Sequence, residues 1–304
     1  MPALLRSLLS GAVLSGTPLL YATLAELVSE RAGIVNLGLE GVMLMGAVTG
    51  FVATARTGSA ALGTAAAAGA GAVFNMVFAF LVIRRRANQL ASGLALMFCG
   101  VGLSALVGAP HVGSQIAGLP ELPIPLLADL PVLGPALFAR DALTYAAVPA
   151  AVLLWWVLGS TRWGLGLRAV GENPVAAFAA GRSPHAVQYQ ALVLAGLLGG
   201  LAGASLSIGI AKTWAEWMTA GRGFIAVALV IFAKWHPLRA VAGAFLFGGA
   251  VSFQLLLQAR GVPVSPFLLD MLPYLLSLLV LAVGGGARRH AAPASLGRVF
   301  QGTP

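Results

Sequence analysis

The chain is short of charge and nearly free of lysine and cysteine. Only 9% of its 304 residues are charged, and Asp and Glu together number 9. Its lysines are Lys212 and Lys234 alone. Each absence closes a class of function. No G-x-x-x-x-G-K-[ST] occurs, so the chain has no P-loop with which to hold nucleotide phosphates. The single cysteine, Cys99, lies inside an apolar run, which excludes an intrachain disulfide and a Cys-rich metal site. No H-E-x-x-H occurs. His111, His185, His236 and His290 fall in the polar interruptions, so none is placed as a base for a buried serine such as Ser205. The run GRGFIA at 221–226 has the form of a dinucleotide fingerprint. No strand precedes it, and no acid lies between Glu216 and Asp270 to hold a ribose. Catalysis, a bound metal and a resident cofactor are therefore not expected.

What the chain has in abundance is apolar length. Hydrophobic residues make up 59% of it, and mean hydropathy is +0.92. Runs of 18 or more apolar residues recur, and about 20 such residues cross the hydrocarbon as a helix. Glycine numbers 39, which suits membrane helices whose backbones approach closely. The expected class is an all-α polytopic membrane protein with eight or nine crossings. Hydrophobic segments are read at 8–28, 33–54, 60–83, 89–108, 142–160, 186–210, 223–233, 238–258 and 267–285. The segment at 223–233 is short for a full span and is expected to be a half-helix or re-entrant piece. The glycine-rich segment at 33–54 is expected to contain irregular backbone. Arg6 followed by apolar residues has the look of a signal peptide, but further spans follow and an uncleaved first helix fits better. One membrane domain is expected over 1–286, with a polar, disordered cytoplasmic tail over 287–304.

The net charge of +9 does not point to nucleic acid, because the basic residues sit singly or in threes between apolar spans. They sort by side instead. Arg84, Arg85, Arg86, Arg162, Arg168, Arg182, Lys234, Arg239, Arg288, Arg289 and Arg298 fall on one side. Arg56, Arg140, Lys212, Arg222 and Arg260 fall on the other. The richer side is expected to be cytoplasmic, while Arg6 and Arg31 do not settle the side of the first helix. The outer interruption at 109–141 is too rich in proline for a membrane helix and reads as an extended cover.

Polar residues at membrane depth are costly and invite a reason. Asn36 and Glu40 are spaced i,i+4, one face of any helix there, with Gly33, Gly38 and Gly41 around them. Asn75, Asn88, Gln89 and Ser92 are further candidates for a translocation path. Each is equally open to a plain interhelical hydrogen bond or a cap. In 196–209, Gly196, Gly200 and Ala204 form one small-residue ladder, and Gly199, Gly203 and Ser207 form another. Both suit tight helix packing.

The stretch RAVGENPVAAFAAGRSP at 168–184 interrupts the apolar pattern. Asn173 is a good N-cap, Pro174 fits the first helical position, and Gly181 fits a left-handed close. Glu172 sits near the positive end of the helix. The product is a short helix in a polar loop, too short to be stable without a partner surface.

This stretch resembles the cytoplasmic coupling loop of bacterial ABC-importer permeases, in the branch for nucleosides and simple sugars related to the ribose and branched-chain amino acid permeases. ERAGIVNLGLEGVMLMGA at 30–47, LASGLALMF at 90–98, LPELPIPLLADLPVLGPALF at 119–138, TRWGLGLRAVGENP at 161–174, GRGFIAVALVIFAKWHP at 221–237 and MLPYLLSLLVL at 271–281 resemble that family in the same order. The resemblance implies alternating access driven by a separate ATPase subunit that binds ATP and Mg. It also implies an extracytoplasmic substrate-binding protein, a second and non-identical permease subunit, and a place in the bacterial cytoplasmic membrane. Gly171, Glu172, Asn173, Pro174, Ala176, Ala177 and Gly181 would form the ATPase contact. The rival reading from the residues is an ion-coupled secondary transporter with Glu40 as its ion site.

Overall fold

The computed structural model describes residues 2–131, 133–261, 264–265, 268–269, 271–284 and 292–298. The chain is helical nearly throughout. Helix α1 spans Pro2–Arg31, α2 Leu39–Thr57, α3 Ala60–Ala79 and α4 Gln89–Gly108. The short α5 is Leu133–Leu137, followed by α6 (Ala142–Ser160), α7 (Arg162–Glu172) and α8 (Pro174–Ala179). Helix α9 is Pro184–Ala204, α10 Arg222–Phe232, α11 Pro237–Ala259 and α12 Leu272–Gly284. Single π-helical stretches prolong α3 (Phe80–Arg84) and α9 (Ser205–Ala211).

Side-chain caps set several starts. Ser59, Asn88, Asp141, Thr161, Asn173 and Ser183 each accept a hydrogen bond from the backbone N–H three residues on. Proline opens α8, α9 and α11, where its missing N–H costs nothing.

Among the described residues, seven helices are long and apolar enough to cross a membrane. Two of the expected crossings fall below that length. Helix α10 has 11 residues, so it spans about 16 Å, half a bilayer core; this is the half-helix that its short apolar run predicts. The segment expected at 267–285 is described as α12 over 13 residues, and 267, 270 and 285 lie outside the described set.

The centre of the molecule is α1, α2, α3 and α9. Both small-residue ladders of α9 are packing faces. A methyl at Gly196 would stand 2.6 Å from the Ala72 Cα on α3, and one at Gly200 would strike the Ala67 backbone. On the second face Gly199 meets Val42 and Gly203 meets the Met43 and Ala47 backbone of α2. Gly41 of α2 packs on Met97 and Gly100 of α4 in the same way. Such contact takes the place of hydrophobic driving force, which lipid does not supply. Large apolar side chains point outward instead: Val73, Phe98, Leu106 and Leu153 are all well exposed.

Helix α1 runs antiparallel to α11. Gly11 meets Ser252 and Gly16 meets Ala244 and Phe245, while at the far end Arg31 Nε and Nη2 donate to the Trp235 carbonyl. Arg31 therefore belongs to the same end as α7 and the Arg84–Arg86 run, and Arg6 to the opposite end. This resolves the side of the first helix, which charge counting leaves open.

Three expectations are corrected. Asn36 and Glu40 do not share a helix face, because α2 begins only at Leu39 and Asn36 lies in the preceding turn. Gly33, at φ +88°, turns the chain there, where a side chain would be strained. Arg222 is not in the outer loop: it begins α10, folded back on the Met218 and Thr219 carbonyls. The tail is ordered over 292–298, where Ser295 N donates to the Gly171 carbonyl at 3.0 Å and Gly297 N to the Gly33 carbonyl at 3.1 Å. The rest of the tail, Arg288 and Arg289 included, lies outside the described residues.

At the opposite end the 109–141 stretch is a cover, as its prolines predict, and it is stitched in place. Ile116 N donates to the Lys212 carbonyl and Leu119 N to the Ile208 carbonyl. Strands β1 (Leu122–Pro123) and β2 (Ala139–Arg140) pair antiparallel. Arg140 is buried there; Nε donates to the Ala136 carbonyl, and loss of water pushes its guanidinium pKa below the ordinary value.

The glycine packing is testable by contrast. Gly200→Leu should lower thermal stability in detergent by about 2–3 kcal/mol or abolish monodisperse protein. Gly69→Ala, where nothing lies within 4 Å, should leave stability unchanged or slightly raised.

Candidate coupling face and buried polar network

Helix α7 starts on the Thr161 cap and ends at Glu172, because Asn173 leaves helical geometry at φ −150° and ψ 95°. The Asn173 carboxamide oxygen then accepts from Ala176 N at 3.0 Å and opens α8, six residues or about 9 Å long. Gly181 closes it at φ +79°, with Gly181 N bonded to the Phe178 carbonyl and Arg182 N to the Ala177 carbonyl. The patch read as one unit at 171–181 thus divides in two. Gly171 and Ala177 are buried, and a methyl at Gly171 would strike the Arg31 carbonyl. They seat the helix. Ala176 is exposed, and Val175 and Phe178 are 51% and 47% exposed, so these present an apolar face outward. Val175 and Phe178 are not among the contact residues the resemblance implied; their i,i+3 spacing was the available signal.

This seat is tied from behind. The Ser295 Oγ donates to the Gly171 carbonyl at 2.6 Å, and Ala294 N donates to Glu172 Oε2 at 3.2 Å. Glu172, expected to face a partner, also serves as an anchor for the tail. Gln89 extends the same seam, accepting from Val35 N at 2.9 Å and donating to the Arg298 carbonyl at 3.3 Å.

The polar residues at membrane depth divide into separate clusters. Glu40 is fully buried. Its Oε1 accepts from Thr219 Oγ1 at 2.6 Å and Gly221 N at 2.7 Å, and its Oε2 accepts from Gly223 N at 2.5 Å. It therefore caps the start of α10, where free amides and the positive helix end favour a carboxylate. Gly223 must be glycine for this approach, since a methyl would stand 2.6 Å from the Glu40 backbone nitrogen. With both oxygens engaged, Glu40 serves as a cap on α10.

Asn36 turns the other way. Its Nδ2 donates to Asn75 Oδ1 at 2.7 Å, and Asn75 Nδ2 donates to the Leu192 carbonyl of α9 at 2.6 Å. Its Oδ1 accepts from Gly38 N and its backbone N–H donates to Glu26 Oε1 at 2.8 Å. Asn88 is exposed and caps α4, while Ser92 is buried and its hydroxyl makes no hydrogen bond among the described residues. The structure thus brings Asn36 and Asn75 together, and leaves Glu40, Gln89, Asn88 and Ser92 on separate tasks.

Two buried acids were missed. Glu26 and Glu30 are buried one turn apart on α1, and their carboxyl groups face one another. Glu26 holds the 32–38 turn through Asn36 N, and Glu30 Oε2 accepts from Trp235 Nε1 at 2.6 Å. The i,i+4 pair of acids inside an apolar run was a usable signal.

The chain is thus a multi-pass helical membrane protein with a half-length crossing and a short, exposed helix at its basic end. Residues 7–282 match the family described as the permease component of branched-chain amino acid transport systems, and the chain belongs to this family. It is a transport component and not an enzyme, and the family works with an ATPase and a substrate-binding protein. The chain is 41% identical over 263 residues to a putative glucose ABC transporter permease of Haloferax volcanii, covering 85% of this chain and 80% of that protein. It is 36% identical to a guanosine ABC transporter permease of Bacillus subtilis and 34% identical to a nucleoside ABC transporter permease of Lactococcus lactis, with 92% of each chain covered in both cases. No solved structure matches.

The cap on α10 predicts a specific asymmetry. Glu40→Gln places an amide N–H₂ against backbone donors and should cost about 2 kcal/mol, read as a lowered midpoint of thermal unfolding in detergent. Asn88→Asp keeps an exposed cap and should change stability by less than about 0.5 kcal/mol. An unchanged midpoint in Glu40→Gln contradicts the cap.

Proposed function

We propose that the chain is the membrane-spanning subunit of an ATP-driven importer for nucleosides or simple sugars, coupled to its ATPase through α7 and α8. The observation that carries this reading is the exposed Val175 and Phe178 face on a helix whose own seat is buried and hydrogen-bonded. A six-residue helix has little stability of its own, so its anchored base and open apolar face suit a docking element. The relatives are named for glucose, guanosine and nucleosides, which supports this solute class.

In this reading the end that carries Arg31, Arg84, Arg168 and Lys234 is cytoplasmic, by the bias of basic residues. The extracytoplasmic binding protein docks over the 109–141 cover and the exposed part of the following segment, 211–217. A second, non-identical permease completes the membrane unit, and ATP and Mg sit in the partner ATPase. Asn36, Glu40, Asn75 and Gln89 support the wall of the path, since their polar atoms are already engaged. The exposed Asn88 and the unbonded Ser92 hydroxyl, both at the start of α4, are the members of the set left for a solute.

Co-expression with the neighbouring transport genes followed by purification of this chain tests the coupling. The wild type should bring down an ATPase. Val175→Arg or Phe178→Arg should reduce the ATPase recovered about tenfold, equivalent to about 1.4 kcal/mol. Leu126→Arg, 86% exposed at the other end, should not. Gly171 and Ala177 are unsuitable for this test because they are buried. Full ATPase recovery with both α8 variants contradicts the proposal.

A further inference from the structure

At the basic end a cavity of about 210 Å³ opens between α1, α6, α7 and the turn before α11, lined by Arg31, Trp155, Leu158, Arg168, Trp235 and His236. Three features of this lining point to one kind of ligand. First, two guanidinium groups and an imidazole share the space. Glu172 is near enough to Arg31 to offset part of this charge but also accepts from the tail amide of Ala294, and Glu30 accepts from the Trp235 indole. Like charges brought this close repel unless an anion sits between them. Second, the Arg168 donors are hardly used. Among the described residues its Nε is buried without a hydrogen-bond partner, and its Nη2 reaches the Gly159 carbonyl only at 3.5 Å. Arg31 spends Nε and Nη2 on the Trp235 carbonyl, and no hydrogen bond is made by its Nη1 among the described residues. Third, the cavity borders the outward face of α6. Leu153, Trp155 and Trp156 are 59%, 45% and 54% exposed there. Tryptophan at the end of a crossing is the side chain that prefers the headgroup level of a bilayer.

We propose that this cavity binds the phosphate of an anionic phospholipid headgroup. A guanidinium fork suits a phosphate oxygen pair. Basic pockets between membrane helices on the cytoplasmic side are suited to such headgroups. The exposed apolar face of α6 leads acyl chains away into the bilayer, a feature that free phosphate has no use for. The bound headgroup would join the end of α1, the α6–α7 corner and the turn at Trp235. Because α7 carries α8, anionic lipid would stiffen the seat of the coupling helix. That consequence rests on the proposed ATPase contact; the binding itself does not, and is measured without an ATPase.

The test is native mass spectrometry of the purified full chain in detergent, offered equimolar dioleoylphosphatidylglycerol and dioleoylphosphatidylcholine. The wild type should retain phosphatidylglycerol preferentially. Arg168→Gln should lower that retention about fivefold, the effect of losing one cation near a headgroup. Arg56→Gln, at the opposite end of the molecule, should keep it. Arg168→Lys, which preserves charge and stem without the fork, should fall between wild type and Arg168→Gln, and it stands in if Arg168→Gln is not monodisperse. Equal retention of the two lipids by the wild type, or unchanged preference in both Arg168 variants, overturns the site. Full displacement of phosphatidylglycerol by inorganic phosphate at matched concentration overturns the lipid assignment and leaves a free-anion site.

Discussion

A helix that starts inside a bilayer leaves its first amides where water cannot serve them, and an unpaired amide there costs several kcal/mol. Helix α10 starts in this way. Its eleven residues reach from the interior of the molecule to the basic end, and the incoming 212–221 segment is an irregular turn bridged to the cover at Thr213 and Trp214. One carboxylate meets the need. Glu40 takes the amides of Gly221 and Gly223 and the hydroxyl of Thr219, and is itself partnered by the positive end of the helix it caps. Neither half is stable at that depth without the other. A buried carboxylate lacking donors and a helix start lacking an acceptor are both among the costly states of a membrane protein.

The rest of the basic end follows from where α10 lands. Its exit brings Trp235 to the end of α1, where Glu30 receives the indole N–H and Arg31 donates to the Trp235 carbonyl. The Arg31 carbonyl in turn closes on Gly171, so the end of α7 is positioned by α1 and α10 together. The tail covers this junction, bonding Gly171, Glu172, Gly33 and Gln89. Helix α8 therefore projects from a base that touches both the broken crossing and the central bundle. A displacement of α8 has a continuous set of contacts along which to reach α10, the element least supported by its own length. Reciprocally, movement of α10 would be felt at α8.

Much of this was legible in the sequence, for identifiable reasons. Long apolar runs give the crossings because hydrocarbon thickness fixes their length, and the shortness of the 223–233 run gave the half-helix. Asn173, Pro174 and Gly181 announced α8 through local capping chemistry, and the two glycine ladders of α9 announced its packing on α2 and α3. What was not legible depends on contacts far apart in the chain. Nothing local tells that Glu40 faces residues 219–223, or that Asn36 sits in a turn and reaches Asn75. The ordering of 292–298 was hidden because a polar, glycine-containing tail looks disordered until its acceptors, the carbonyls of Gly171 and Gly33, are seen. The resemblance placed Ala177 in the ATPase contact, and burial reserves it for the seat; only the packing of α8 on α7 and α9 decides which side faces out.

The central claim is that ATP hydrolysed by a partner drives solute through this chain, with Glu40 serving structure and not ion coupling. Uptake of labelled guanosine or glucose tests this most directly, in proteoliposomes holding the chain with its partner permease, ATPase and binding protein. Accumulation should require ATP on the side of the ATPase and should persist when ionophores collapse every ion gradient. Uptake driven by an imposed proton or sodium gradient, without ATP and without the ATPase subunit, contradicts the account and returns Glu40 to the role of an ion site.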